Sequence, residues 1–196
     1  MLLIFVNLFL PINFKINLKV NTFTLELWDD EASKCTFYTV RWEDATQNET
    51  DKFFAKYDAI PGLKPAAQVL LSFVLDSIGE DHGAIDALFN RFENEVVGLP
   101  NKGRVSVGEI VFLYPDFPLR LYALRINNRP DLVVLFNGGI KSAQTNQASK
   151  GLALKWREAC LFARRIEEAL RNGEIVVDIR KRRILGSDGR DEEIYL

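Results

Sequence analysis

Residues 118–145, PLRLYALRINNRPDLVVLFNGGIKSAQT, decide the fold class that is predicted for this chain. Two apolar runs rich in branched and aromatic residues, 119–126 and 131–137, flank the polar turn NNRPD. Runs of this composition on either side of a turn are typical of two antiparallel strands. The stretch therefore predicts a β-hairpin that leads into a Gly-Gly pair and a lysine.

Cations lie in or beside this otherwise apolar hairpin. Arg120 and Tyr122 are two residues apart, so they should share one face of the first strand. Arg125 should point to the other face, or lie at the strand end where the alternation lapses. Lys141 follows the second strand, and antiparallel pairing across the turn predicts that it lies near Arg120 at one sheet edge.

The residues upstream predict another hairpin and three helices. Alternating runs around the charged turn DDEASK predict the hairpin, at 22–28 and 35–42. Asn48 is a suitable N-cap for the first helix. The helices form a helical block over 49–98 and are predicted at 48–60, 64–79 and 82–98.

Downstream of this block the pattern returns to strands. VSVGEIVFLY at 105–114 predicts a strand, a 3–4 residue apolar spacing predicts a helix over 152–171, and EIVVDIRKRRIL at 174–185 predicts a last short strand. Strands on one side and helices segregated to the other give an α+β class. We expect a small antiparallel sheet flanked by helices, in one domain over 21–196.

Residues 1–20 form an apolar N-terminal extension, MLLIFVNLFLPINFKINLKV. The apolar run breaks at Pro11, short of the roughly 20 residues that span a bilayer. It also lacks the basic region and small-residue cleavage site of a secretory signal. A buried strand, a membrane-surface anchor and a translated upstream region all remain as alternatives, and a membrane is not an expected partner.

The charge is divided unequally along the chain. Residues 119–196 hold 15 Lys and Arg against 10 Asp and Glu, whereas residues 1–118 hold 10 against 17, for a net charge of −2. A basic half indicates an anionic partner such as nucleic acid, or simply two differently charged faces. The candidate nucleic-acid contacts are Arg157, Arg164, Arg180, Lys181, Arg182 and Arg183.

The sequence contains none of the common metal-binding or cofactor-binding motifs. His82 is the only histidine, and no CxxC pair, HExxH, Walker loop or GxGxxG is present. Cys35 and Cys160 have no metal-ligand spacing and indicate reduced thiols in a cytoplasmic protein. We therefore expect neither a cofactor nor a metal.

Arginine, lysine and tyrosine are the remaining residue types that could take part in catalysis. Cleavage of a phosphodiester without a metal requires activation of the ribose 2′-OH, neutralisation of the phosphorane and protonation of the leaving oxygen. Arginine clamps phosphate bidentately, lysine supplies a point charge or a proton, and tyrosine stacks a base or donates a proton. Cations at an exposed sheet edge also discourage aggregation, so the residue types alone leave both roles open.

The run LRLYALRINNRPDLVVLFNGGIKSAQTNQASK, followed by KWREACLFARRIEEAL, resembles the RelE/ParE/HigB superfamily of bacterial toxins. The resemblance is closest to the HigB-like, phage-derived branch, and it covers about 118–171. It implies a RelE-like core, with features over 105–185, and it makes 49–98 an enlarged helical insertion. Ser142 stands where the family usually has a second lysine.

The resemblance also implies an activity and partners. These are mRNA cleavage on the ribosome without a metal and a neighbouring antitoxin, often a helix-turn-helix protein. Carried over by position, the catalytic candidates are Arg120, Lys141, Arg125 and Tyr122. The family includes a branch that acts on gyrase, so a non-catalytic RNA- or protein-binding member of the scaffold is one alternative, and an accessory protein of a mobile element is another.

Overall fold

The computed structural model describes residues 22–141, 146–191 and 193–196, and for 146–149 the backbone alone. The predicted extension at 1–20 and Ser142 lie outside these residues. The helices are α1 (Glu49–Asp58), α2 (Lys64–Ser72), which continues as a π-helix over Phe73–His82, and α3 (Asn146–Asn172). The strands are β1 (Phe23–Asp29), β2 (Thr36–Trp42), β3 (Phe92–Glu93), β4 (Val96–Leu99), β5 (Arg104–Val107), β6 (Ile110–Leu113), β7 (Leu119–Arg125), β8 (Leu132–Ile140), β9 (Ile175–Asp178), β10 (Arg183–Gly186) and β11 (Ile194–Tyr195).

The fold mixes helices with a seven-stranded sheet in the order β11-β1-β2-β8-β7-β4-β3. The two predicted hairpins, β1–β2 and β7–β8, are both present and antiparallel. β2 runs parallel to β8, however, with Thr36 opposite Leu132 and Thr39 opposite Leu135. The predicted small sheet is therefore wrong in size, and its predicted antiparallel pairing has one exception among the described strands, between β2 and β8. The long crossover between β2 and β8, which contains α1 and α2, is what permits the parallel pairing.

Helices cover both faces of the sheet, and not one face as predicted. Val134 and Phe136 of β8 lie in a core with α3, whereas Val133 and Leu135 lie in a second core with α1, α2 and the π-helix. A strand that is buried on both faces carries a continuous apolar run, which explains LVVLF in β8. We call these the α3 face and the α1–α2 face of the sheet.

α1 begins at its predicted N-cap. Asn48 has extended backbone angles, and its side-chain oxygen accepts a hydrogen bond from the Asp51 amide at 2.8 Å. This bond satisfies one of the amides that a first helical turn leaves unpaired. In the first turn of α1, the Thr50 hydroxyl lies 3.2 Å from the carbonyl oxygens of Leu135 and Phe136. These bonds hold the start of α1 against β8.

The helix predicted over 82–98 does not form, and the structure describes this whole range. The π-helix stops at Gly83, whose φ is 74°, and the next amide donates to the Pro130 carbonyl at 2.6 Å. Leu88 and Phe89 are buried in the core of the α1–α2 face from a turn. Their helix-like spacing therefore reflects the surface that they meet and not a local helix.

The end of that range forms the β3–β4 hairpin instead. Glu93 of β3 pairs with Val96 of β4. Between them Asn94 has a φ of 60°, a conformation that asparagine adopts more readily than most residues. β4 then joins the main sheet beside β7. The helical block predicted over 49–98 is thus helices followed by a hairpin.

Two runs predicted as single strands are also hairpins. Gly108, with a φ of 59°, turns the run at 105–114 into β5–β6. In the last run the Asp178 carboxylate accepts the amides of Arg180 and Lys181 at 3.0 and 3.1 Å. The chain folds back there as β9–β10. The basic run RKRR therefore lies mostly in a turn.

Candidate functional site

Arg120 and Tyr122 both lie on the α3 face of β7, as their spacing predicts. Tyr122 belongs to the core beneath α3, whereas its neighbours Leu121 and Ala123 belong to the core on the other face. Arg120 extends over Gly98 of β4, the residue that pairs with Tyr122. The Arg120 side chain is only 8% exposed, so this candidate is largely covered in the structure.

A second arginine that the sequence did not single out lies beside Arg120. Arg120 is ion-paired with Glu93 of the β3–β4 hairpin. Arg91 lies close to Gly98 as well and donates to two backbone carbonyl oxygens at 3.2 Å. A Cβ at Gly98 would lie 2.5 Å from Arg120 Cδ and 3.0 Å from Arg91 Cδ. The absence of a side chain at Gly98 therefore makes the room in which the two arginines meet.

Tyr122 lies next to Arg120 and Glu93, and its phenol is protonated. Burial raises the pKa of the phenol well above its usual range, and the negative charge of Glu93 and a hydrogen bond to it raise it further. The positive charge of Arg120 partly opposes this rise in pKa. With 1% of the residue exposed, Tyr122 does not offer its ring to a base for stacking.

Arg125 lies on the opposite face of β7 from Arg120. Its guanidinium donates to the Ala84 carbonyl at 3.0 Å and to Asp86 at 2.6 Å. It also lies 5.6 Å from the centre of the Phe89 ring. These contacts bind the segment after the π-helix to the sheet. The structure therefore does not bring Arg125 together with the other catalytic candidates.

Lys141 lies at the end of β8 that is nearest to Arg120. Arg120 pairs with Gly139, and the Lys141 amide donates to the Pro118 carbonyl at 2.7 Å. A Cβ at Gly139 would meet Leu152 of α3 at 3.2 Å, so position 139 faces α3. Strand alternation gives Lys141, two residues on, the same side. Lys141 is exposed and Arg120 is largely buried. At this end of the β7–β8 pair, Lys141 is therefore the outer cation and Arg120 the inner one.

A β-bulge in β8 creates a polar cluster next to these cations. The register of β7 and β8 shifts between Leu121 and Ala123, where Phe136 and Asn137 oppose a single residue. Both therefore face α3: Phe136 packs in the core there, and the Asn137 amide donates to Glu158 of α3. The bulge thus brings a buried amide to a face where apolar side chains otherwise pack.

Glu158 is the centre of this cluster. Besides the bond from Asn137, it accepts hydrogen bonds from Trp42 Nε1 at 2.9 Å and from Lys155 Nζ at 2.7 Å. Lys155 also lies 3.3 Å from Glu49 at the start of α1. Burial opposes the charge on Lys155, but the two carboxylates outweigh it and raise the pKa of the ammonium. No sequence motif marks this cluster, because its members come from four separate elements.

The predicted nucleic-acid contacts divide into exposed residues and residues that are bonded within the fold. Arg182 donates to the carbonyl oxygens of Ala32 and Ser33, and Arg183 is ion-paired with Asp30. These bonds hold the β9–β10 hairpin on the β1–β2 turn. The exposed members of the set are Arg157, Arg164, Arg180 and Lys181. Fewer of these basic side chains are therefore exposed for contact with nucleic acid than the sequence predicts.

A groove of about 930 Å³ lies at the end of β7 that is opposite to Arg120 and Lys141. Its apolar lining includes Leu124 and Ile126 at the end of β7, Leu170 of α3 and Ile175 of β9. Arg125 lines this groove as well. We centre the candidate site on Arg120 and Lys141 and not on the groove, because two of the arginines that line the groove, Arg125 and Arg129, are ion-paired with Asp86 and Asp131.

Within the described residues, no group of three or more His, Cys, Asp or Glu side chains could hold a metal ion. No helix in that part of the chain is both long and apolar enough to cross a membrane. No protein-family model matches the chain, and neither does any curated protein or solved structure. Functional assignment therefore depends on the arrangement of the residues themselves.

Proposed function

We propose that the chain is a toxin-like, metal-independent endoribonuclease in which Arg120 and Lys141 neutralise the scissile phosphate of an mRNA. One observation carries the proposal: the two cations share one face and one end of the β7–β8 pair, since Gly139, which pairs with Arg120, comes two residues before Lys141. Two cations at one end of a strand pair suit a transition state that gathers charge on its phosphate oxygens. The resemblance to the RelE/ParE/HigB superfamily supports the same activity.

Each residue has a distinct part in this scheme. Arg120 supplies charge-assisted hydrogen bonds to the phosphate oxygens as the 2′-oxygen attacks and the 5′-oxygen leaves, while solvent water takes the 2′-OH proton and protonates the leaving oxygen. Lys141, which is exposed, meets the RNA first and adds a second positive charge. Tyr122 keeps its proton and supports the site from beneath through Glu93. Arg125 takes no part, because it lies on the other face of the strand.

The proposal includes a location and partners. mRNA and ribosomes are cytoplasmic, and the buried free thiols of Cys35 and Cys160 fit a reducing compartment. The antitoxin that the resemblance implies is a helix-turn-helix protein. Exposed cations, namely Arg157, Arg180 and Lys181, are the proposed contacts for the RNA backbone outside the cleavage site.

Controlled expression followed by mapping of RNA 5′ ends tests the proposal. The wild-type protein should arrest growth and create new 5′ ends, and Arg120→Gln with Lys141→Gln should abolish both. The matched control is Lys34→Gln with Arg171→Gln, which removes the same charge from exposed positions away from the site. The proposal fails if the first double variant folds and still cleaves as the wild type does.

A non-catalytic RNA-binding protein on the same scaffold is the second candidate. It is favoured by the burial of Arg120 and by its ion pair with Glu93, since both keep the guanidinium from an incoming phosphate. Such a protein should bind RNA with a steep dependence on salt and leave it intact. Salt-dependent RNA binding without new RNA 5′ ends would favour this candidate over the endoribonuclease.

A further inference from the structure

Three charged side chains meet over Gly98 on the α3 face of the sheet. A Cβ at Gly98 would lie 2.5 Å from Arg120 Cδ, 3.0 Å from Arg91 Cδ and 3.0 Å from Glu93 Oε1. All three therefore occupy the space that a side chain at position 98 would fill. Two of the groups are guanidiniums and one is a carboxylate, so the group carries an excess of one positive charge.

The positive charge in this group is poorly compensated. Burial lowers the pKa of Arg91, the neighbouring charge of Arg120 lowers it further, and Glu93 only partly opposes them. Arg120 Nε is buried and has no hydrogen-bond partner among the described residues. A buried donor without a partner costs free energy, and more so when it belongs to a cation. An anion with more charge than the Glu93 carboxylate would relieve both the excess charge and the unpaired donor.

We propose that Arg91 and Arg120 form a binding site for a phosphate group, and that Glu93 is its internal occupant. The inference rests on the proposed function in one respect: the phosphate is that of an RNA backbone. A backbone phosphodiester carries one negative charge, as Glu93 does, but its oxygens gather a second charge as the phosphorane forms, and two guanidiniums stabilise that charge. Arg91 is then a second phosphate-binding residue, which neither the strand pattern nor the family resemblance indicates.

The route by which Glu93 leaves the site follows from its backbone contacts. Its carbonyl oxygen accepts a hydrogen bond from Trp156 Nε1 of α3 at 3.1 Å, so the β3–β4 hairpin stays bound to the helix. The Glu93 side chain is 27% exposed, compared with 8% for Arg120. Rotation of that side chain into solvent therefore uncovers Arg120 without movement of a strand. The wild-type site binds weakly, because every ligand must first displace Glu93.

Titration with inorganic phosphate tests the site directly, by calorimetry on the full chain. Glu93→Gln keeps the size of the side chain and removes its charge, so phosphate should bind roughly tenfold more tightly, the size of one charge-assisted hydrogen bond. The matched control is Glu95→Gln on the same hairpin, which pairs with Arg164 at 3.4 Å and should leave the affinity unchanged. An equal gain in both variants, or none in either, overturns the proposal.

A second variant keeps the test valid if Glu93→Gln does not fold. Arg91→Gln in the wild-type background should weaken phosphate binding by roughly tenfold or more, since it removes one of the two guanidiniums. Arg171→Gln, at an exposed position outside the proposed RNA contacts, is its charge-matched control and should not weaken binding. Unchanged phosphate affinity in Arg91→Gln overturns the assignment of Arg91.

The source of the phosphate is decided with a short single-stranded RNA that has no terminal phosphate. Glu93→Gln should raise the affinity for this RNA as it does for inorganic phosphate. A gain for inorganic phosphate alone overturns the assignment to an RNA backbone. If RNA cleavage in cells is lost in Arg120→Gln with Lys141→Gln but is equal in wild type and Glu93→Gln, the proposed function survives and the role of Glu93 is refuted.

Discussion

Lys155 of α3 lies 3.3 Å from Glu49 of α1, although the two helices cover opposite faces of the sheet. Lys155 also donates to Glu158, to which the bulge in β8 brings Asn137. The contact of Lys155 with Glu49 is a side-chain link between the two outer layers of the fold.

The link predicts a specific dependence of stability on pH. Burial favours the neutral form of Glu49, but Lys52 and Lys155 outweigh it and lower the pKa of the carboxyl. A carboxyl with a lowered folded pKa stabilises the fold above its unfolded pKa of about 4.3, and the contribution is lost as the pH falls through the folded value. Glu49→Gln should therefore lower the urea midpoint near neutral pH and have progressively less effect below about pH 4.

The control for this prediction lies at the other end of the same helix. Asp58 is paired with Lys64 at 3.1 Å, and about half of each side chain is exposed. Asp58→Asn should change the midpoint little at any pH, because exposed ion pairs contribute little. A loss from Glu49→Gln that is the same in acid and at neutral pH would contradict the role of the two lysines.

The bulge in β8 predicts an intolerance to a single methyl group. A Cβ at Gly138 would overlap the carbonyl oxygen of Arg120 and lie 2.7 Å from Phe53. Gly138→Ala should therefore lower the free energy of unfolding by about 3 kcal/mol, the upper end for atoms forced into a packed interior. In α3 a Cβ at Gly151 meets no described atom within 4 Å, so Gly151→Ala should raise stability by about 0.5–1 kcal/mol. Urea unfolding of both variants measures the contrast, and equal effects would exclude the steric explanation.

Tyr122→Phe separates a structural tyrosine from a catalytic one. A general acid contributes about 10²–10⁴-fold to a rate. The Tyr122 phenol is buried and holds its proton, so Tyr122→Phe should slow RNA cleavage by less than tenfold, well below that range. Cleavage rates of Tyr122→Phe and Arg120→Lys, measured side by side, give the comparison. A larger loss for the tyrosine than for the arginine would show that Tyr122 donates a proton.

The two cysteines predict slow reaction with thiol reagents. Burial, assisted by Glu95, raises the pKa of the Cys160 thiol to about 11, and burial also raises the pKa of Cys35. The thiolate is the reactive form, so both side chains should be modified slowly in the native protein at mildly alkaline pH. The same reagent should react rapidly once denaturant unfolds the chain. Rapid modification of the native protein would mean that these segments open easily.

Local patterns in the sequence predict part of the local structure and fail over 82–98, 105–114 and 174–185. The β1–β2 and β7–β8 hairpins, the cap of α1 at Asn48 and the long helix α3 all follow from strand alternation, helical spacing and turn chemistry. The parallel pairing of β2 with β8 does not follow, because it joins residues that are far apart in the chain. The packing of helices on both faces of the sheet follows from that parallel pairing. It could therefore not be predicted from the local patterns either.

The candidate site could be predicted only in part, for the same reason. Spacing along β7 correctly gave Arg120 and Tyr122 one face and Arg125 the other. Arg91 and Glu93 were missed because their segment was predicted as a helix, on the strength of Leu88 and Phe89. Those two residues take their apolar character from a core that is built by other parts of the chain.

The parallel contact of β2 with β8 has a consequence for how the chain is made. Thr36 pairs with Leu132, and translation at about 5–20 residues per second separates them by roughly 5–20 s. During that interval the apolar edge of β2 emerges from the ribosome without its neighbour. A nascent chain of this kind is open to capture by another strand, and a chaperone or a cognate partner that covers β2 early would raise the yield of folded protein.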